Sequence, residues 1–333
     1  MDSFITLDYG SGGKKTSRLI EEMLLPQLEN EALAQLGDGA ILPGEEKLVF
    51  STDSFVVTPQ FFPGGDIGKL SVCGTVNDIA VSGGEPKYLS LSFIIEEGFP
   101  MADLEKIISS IRTTCAEVGV SVVTGDTKVV EKGRGDGIYI NTAGIGFLRT
   151  PDLSPARLKN GDAILVSGEI GNHGTAVMLA RNENLVQAEI VSDCAPLHKE
   201  ALALGSLGDA LRVMRDPTRG GLATTLNEFV EGTPHGIELT EEDIPVAPSV
   251  AMACEILGLD PLYCACEGRL IAAVAPEAAE EALSILRMQP HGKGARRIGT
   301  VTDAYPGKVI VRTPYGSGRI AAKLSGAQLP RIC

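Results

Sequence analysis

The chain has 333 residues, 44% of them hydrophobic and 5% aromatic, with no tryptophan and a formal net charge of −14. That length is enough for two domains with aliphatic cores. The acidic balance argues against nucleic acid or an anionic membrane as the main partner. It leaves phosphate ligands open, because glycine-loop amides and carboxylate-held Mg²⁺ take phosphate without a basic surface.

In chain order, Leu19, Ile20, Met23 and Leu24 predict an amphipathic helix over 14–25. Strands are expected over 47–52 and 55–57, then a helix over 67–81 and an alternating strand over 87–95. Leu104, Ile107, Ile108, Ile111, Cys115 and Val118 recur at a helical period, and strands over 120–124 and 137–147 complete a first unit. Residues 151–161, rich in Pro, Asn and Gly, read as a linker. A second unit opens with a strand at 163–167. It carries helices near 173–182, 196–206, 220–231, 248–257 and 276–287, with strands near 269–275 and 307–313. Strands that come in pairs, rather than alternating strictly with helices, predict two layered α+β domains and not a doubly wound sheet. The expected division is 1–150, 151–325 and a flexible C-terminal tail, 326–333, carrying Cys333.

The cysteines are Cys73, Cys115, Cys194, Cys254, Cys264, Cys266 and Cys333, with no Cys-x-x-Cys pair. They read as reduced thiols of a cytoplasmic protein. The first five residues lack the regions of a signal peptide, and no apolar run is long enough to span a membrane.

Four segments set carboxylates beside glycines or at strand ends: Gly37-Asp38-Gly39, Thr52-Asp53-Ser54, Val76-Asn77-Asp78-Ile79 and Gly125-Asp126-Thr127-Lys128. Mg²⁺ takes one or two carboxylates with waters and substrate phosphates, although Asp also serves turns and caps. Asp78 stands out because its helix is apolar nearly all round, which makes it either a metal ligand or a paired internal carboxylate. Tyr9-Gly10-Ser11-Gly12-Gly13-Lys14-Lys15 and Asp216-Pro217-Thr218-Arg219-Gly220-Gly221 each precede a helix, where backbone amides draw anions; each also suits a plain turn. Lys128, after a Gly125-Asp126 turn, and Glu267, in Cys264-Ala265-Cys266-Glu267-Gly268, are acid–base candidates; a surface ion pair and a turn residue are the plainer readings. His173 is undecided, and the 4 scattered histidines make no zinc site. Cys333, in the last position, reads by place alone as a frayed end.

Taken together, these segments resemble the hydrogenase maturation carbamoyl dehydratases, the HypE family, within the aminoimidazole ribonucleotide synthetase-like superfamily. The matching stretches run from Gly10-Ser11-Gly12-Gly13 through Thr52-Asp53-Ser54-Phe55-Val56-Val57 and Phe61-Phe62-Pro63-Gly64-Gly65-Asp66-Ile67-Gly68-Lys69-Leu70. They continue through Gly74-Thr75-Val76-Asn77-Asp78, Gly125-Asp126-Thr127-Lys128-Val129-Val130 and Asp216-Pro217-Thr218-Arg219-Gly220-Gly221. The ending Pro330-Arg331-Ile332-Cys333 is the most specific part.

The resemblance implies an N-terminal ATP-binding domain that pairs in a homodimer and a C-terminal domain that closes over the nucleotide. It implies ATP at Gly12, Gly13, Asp53, Asn77 and Asp216, with Mg²⁺ at Asp38, Asp53, Asp78 and Asp126. It further implies that Cys333 takes a carbamoyl group from the carbamoyltransferase HypF. ATP-dependent dehydration, with Glu267 and Lys128 as acid–base groups, would leave a thiocyanate. The cyanide would pass to the iron-carrying HypC–HypD complex on the way to a nickel–iron hydrogenase. Two positions depart from the family pattern: Cys266, where the pattern has Asn, and Tyr9, where it has His. The alternatives are a non-catalytic thiol carrier and a small-molecule ATP-dependent synthetase of the same superfamily.

Overall fold

The computed structural model describes residues 2–10, 14–35, 40, 42–181 and 189–323. Gly12, Gly13, Asp38 and the tail 326–333 with Cys333 lie outside the described residues.

The first domain opens with α1 (Lys14–Leu19) and α2 (Leu25–Leu28), joined by a π-helical turn, so the expected single helix is interrupted. Then come β1 (Leu48–Phe55), the short hairpin β2 (Phe61–Phe62) and β3 (Gly65–Asp66), α3 (Ile67–Val81), β4 (Gly84–Glu96), α4 (Met101–Val118), β5 (Ser121–Val130) and β6 (Ile138–Leu148). The main sheet has the order β1-β6-β4-β5, antiparallel except between β4 and β5. One face packs on α3 and α4. Helix α4 buries one stripe, Leu104, Ile107, Ile108 and Ile111, and stops at Gly119, whose φ of 82° suits only glycine comfortably. Helix α3 begins where the Asp66 carboxylate accepts from the Gly68 and Lys69 amides at 2.7 and 3.0 Å. It is buried almost all round because Ala80 and Val81 also pack against Leu197, Ala201 and Leu204 of the second domain.

The second domain contains β7 (Ala163–Val166), α5 (Asn172–Arg181), α6 (His198–Leu204), β8 (Leu211–Arg215), α7 (Gly221–Val230), β9 (Gly236–Thr240), α8 (Pro248–Leu257), β10 (Ile271–Val274), α9 (Ala279–Arg287), β11 (Arg296–Thr302), β12 (Val309–Arg312) and β13 (Gly318–Ile320). Its sheet runs β13-β12-β9-β11-β7-β10-β8, with only the β12–β9 pair parallel. Ile164 and Val166 face α7, whereas Ala163 and Leu165 face α6 and α9, so β7 is covered on both sides. The two-domain α+β architecture is as expected.

Three further details differ from the sequence reading. β1 is one strand and not two. β2, β3, β8, β9, β11 and β13 are not among the expected strands. And β5 continues to Val130, so Gly125-Asp126 lies in a strand and not in a turn.

Candidate active site

Asp53, Asp78, Asp216 and Glu267 come together at the seam between the domains. Asp53 projects from β1 towards α3, since it shares a register row with the buried Thr142, which meets Thr75 of α3 at 2.6 Å. Asp78 lies one turn beyond Gly74 on α3, and its Oδ2 accepts from Ser51 Oγ at 2.7 Å. Asp216 follows directly on β8. Burial raises Asp78, the Ser51 bond opposes this, and the charge of Asp53 adds to the rise. Burial also pushes Asp216 up to about 7, reinforced by Asp78. Glu267 is held well above its ordinary value, first by burial and then by Cys194, Asp216, Asp193 and Asp53. Arg215 and Arg219 pull Asp78 the other way, and Arg215 is itself paired with Glu228. The seam therefore gathers carboxyl groups that hold their protons more tightly than usual, chiefly because they are buried and secondarily because they lie near one another.

The loop carrying Glu267 is tied down on several sides. Its carbonyl accepts from Asn77 Nδ2 and from the Ala195 amide, each at 3.3 Å. The Cys266 amide donates to Pro217 O at 3.0 Å, and the Gly268 amide donates to Asp193 Oδ2 at 3.3 Å. Asp193 Oδ1 takes the His173 amide at 2.9 Å. Gly268 leaves no room for a side chain, because a Cβ there would lie 1.8 Å from Asp193 O. The Cys266 thiol accepts from the Gly171 amide at 3.2 Å and packs in the second domain's core, so it is a packing group. Asn77 spends both amide hydrogens on the second domain, on Ala195 O at 3.1 Å and Glu267 O at 3.3 Å. Its Oδ1 accepts the Leu197 amide at 2.7 Å.

Asp126 and Lys128 are elsewhere. Register places Asp126 in the row Ser54–Asn141–Ser92–Asp126 and Asp53 in the adjacent row, so the two face opposite sides of the sheet. Three strand spacings, about 14 Å, separate β1 from β5. Lys128 Nζ bonds Asp126 Oδ1 at 3.1 Å, with both side chains more than half exposed. A cavity of about 360 Å³ lies beside them, between the N-terminal helices and β5. Ile20, Leu24, Leu91 and Phe93 are part of its apolar lining, and the seam carboxylates are not part of it. The expected grouping of Asp126 with Asp53 and Asp78, and of Lys128 with Glu267, is thus not formed within one chain.

His173 is fully buried and neutral, pushed down to about 3 by desolvation; its Nδ1 lies 2.9 Å from Ser192 Oγ and its ring meets Phe62 edge-on. Tyr9 is a core side chain whose hydroxyl accepts the Asp2 amide at 3.2 Å. Asp193 escaped sequence reasoning because Ser192-Asp193-Cys194 carries no glycine or helical signal. Among the described residues, no three His, Cys, Asp or Glu side chains are arranged to hold a metal unaided. No helix among them is long and apolar enough to cross a membrane.

Family models described as AIR synthase related protein, N-terminal domain and C-terminal domain, match residues 36–148 and 159–312. The carbamoyl dehydratase HypE of Cupriavidus necator is 48% identical over 332 residues, covering 99% of this chain and 95% of that protein. The chain belongs to the HypE family. A crystal structure of the hydrogenase maturation protein HypE in complex with ATP superposes with a TM-score of 0.94 at 46% identity, covering 98% of this chain and 99% of that one. A HypE chain from a HypE–HypF complex aligns with a TM-score of 0.80 at 48% identity, covering 91% and 98%.

Proposed function

We propose that this chain is an ATP-dependent carbamoyl dehydratase acting on a carbamoyl group carried by its own Cys333. The observation that carries the reading is the seam itself: four acidic side chains from both domains, three of them (Asp78, Asp216 and Glu267) held at raised proton affinity, in a chain similar from end to end to an ATP-bound HypE. The carbamoyl group would come from HypF, the partner in the related complex. The cyanide would leave to HypC–HypD for a nickel–iron hydrogenase.

The reaction balances as follows. The carbonyl oxygen of the S-carbamoyl group attacks the γ-phosphorus of ATP, and the bond to ADP breaks. One N–H proton leaves, giving an imidate phosphate on sulfur. Loss of the second proton with cleavage of the C–O bond leaves S–C≡N and inorganic phosphate. Glu267 is the proposed base at nitrogen, since a carboxylate of raised proton affinity is a stronger acceptor once ionised. Asp53 and Asp78, with Asp38, would hold Mg²⁺, which when bound neutralises phosphate charge. Oxygen donors too few to enclose a cation alone fit an ion completed by phosphate and water. Gly12 and Gly13 would supply backbone amides to the phosphates, and Asp216 lines the same end.

The proposed homodimer is supported by the sheet's other face, where Leu48, Phe50 and Ile94 are exposed at 50%, 66% and 44%. A sheet face that shows such side chains calls for a cover, and a second copy is the one proposed. Asp126 and Lys128 lie on that face, so each site is proposed to draw them from the paired copy. Mixed dimers test this. Subunits bearing Glu267→Gln and subunits bearing Lys128→Met should regain part of the lost turnover when combined, and no recovery would refute sharing.

For the activity, ATP turnover should require carbamoylated Cys333. Carbamoylated protein that turns over no ATP would indicate a thiol carrier. ATP-dependent activity surviving Cys333→Ala would indicate a small-molecule synthetase.

A further inference from the structure

Asn77 sits on the helix turn that carries Asp78, and its side chain is wholly buried. One carboxamide makes three bonds to the backbone of the other domain, and they reach two separate segments, Ala195 with Leu197 and the Glu267 carbonyl. The remaining contact between α3 and α6 is aliphatic packing of Ala80 and Val81 on Leu197, Ala201 and Leu204, which sets distance but tolerates sliding. Hydrogen bonds are directional, and a buried amide that loses them cannot turn to water. Both donors are spent on the seam, so Asn77 has no N–H left for a nucleotide.

We infer that Asn77 is a positioning residue that fixes the Glu267 loop against the Asp53–Asp78 carboxylates across the domain seam. The inference rests on the reading of Glu267 as the base. Asp193 holds the following residue through the Gly268 amide from within the second domain. Asn77 is the matching hold from the first. Together they leave the Glu267 peptide little freedom to shift relative to the cation end of the site. An error of an ångström in such a placement is costly to chemistry and nearly neutral for nucleotide binding.

Three full-length, carbamoylated variants test it: Glu267→Gln, Asn77→Ser and Asn77→Asp. The last is isosteric, keeps the acceptor for Leu197 and loses both donors. At saturating MgATP, both Asn77 variants should lower kcat for water loss on the order of 10- to 100-fold. They should leave the ATP KM within about threefold and the fold intact by thermal melting. A raised ATP KM with unchanged kcat would make Asn77 a nucleotide ligand and overturn the inference, as would turnover near that of the unaltered chain. If Glu267→Gln keeps full turnover, the reading of Glu267 fails and takes this inference with it. If only the Asn77 variants keep full turnover, the Glu267 reading stands alone.

Discussion

The seam and the outer edge of β5 use the same kinds of side chain to opposite ends. At β5, within one chain, Asp126 and Lys128 neutralise one another as an exposed pair. At the seam, Asp78, Asp216 and Glu267 are crowded together and partly desolvated, and each holds its proton more tightly than usual. A solvated ion pair contributes about 0–1 kcal/mol and has nothing to discharge. A cluster of unneutralised carboxylates is unfavourable until a cation or a proton arrives, which is how a site comes to be poised for both.

The contrast can be broken by substitution. The largest effect is expected from Glu267→Gln, which should slow dehydration about 10²- to 10⁴-fold with ATP binding preserved; single-turnover assays against ATP titrations read both. Asp78→Asn should weaken Mg²⁺-dependent ATP binding on the order of 10- to 100-fold. It should leave the metal-free protein no less stable, because the lost charge was held there against burial.

A third test is pH. The folded protein keeps His173 neutral down to about 3, whereas the unfolded chain takes up a proton near its ordinary value of 6.5. Stability is therefore full above that value and falls as pH drops towards 3, by up to about 1.4 kcal/mol per pH unit. Urea midpoints between pH 7 and 5 should show this loss, and His173→Gln should flatten it. The smallest effect on stability belongs to Lys128→Met, which should change unfolding free energy by less than about 1 kcal/mol even as turnover falls, because the pair is exposed within one chain. A larger loss would mean that the β5 edge is no solvated pair.

The long, strongly patterned elements could be read from the chain: the expected helix at 67–81 has the same bounds as α3. What misled at β5 was glycine. Gly125 presses on a neighbouring strand, where a Cβ would come within 2.3 Å of Leu91 O, so its role is close backbone approach and not a turn. Gly299 does the same in β11 against Glu238 O, which helped to hide that strand. β8 was masked by Arg212, a charge that is tolerated inside because Asp162 pairs with it at 3.3 Å. Asp53, Asp78, Asp216 and Glu267 could be picked out by motif. Their convergence could not, because it depends on sheet register and on a seam between segments far apart in sequence. The same non-local geometry moved Asp126 and Lys128 away and gave Asn77 its place between the domains.

The most direct measurement is the intact mass of the carbamoylated protein before and after MgATP, followed by mapping of the Cys333 fragment. Loss of one water from that fragment, matched by one ADP and absent in Glu267→Gln, is the predicted result. ATP consumed with the fragment's mass unchanged, or water lost equally by Glu267→Gln, would contradict dehydration at the seam.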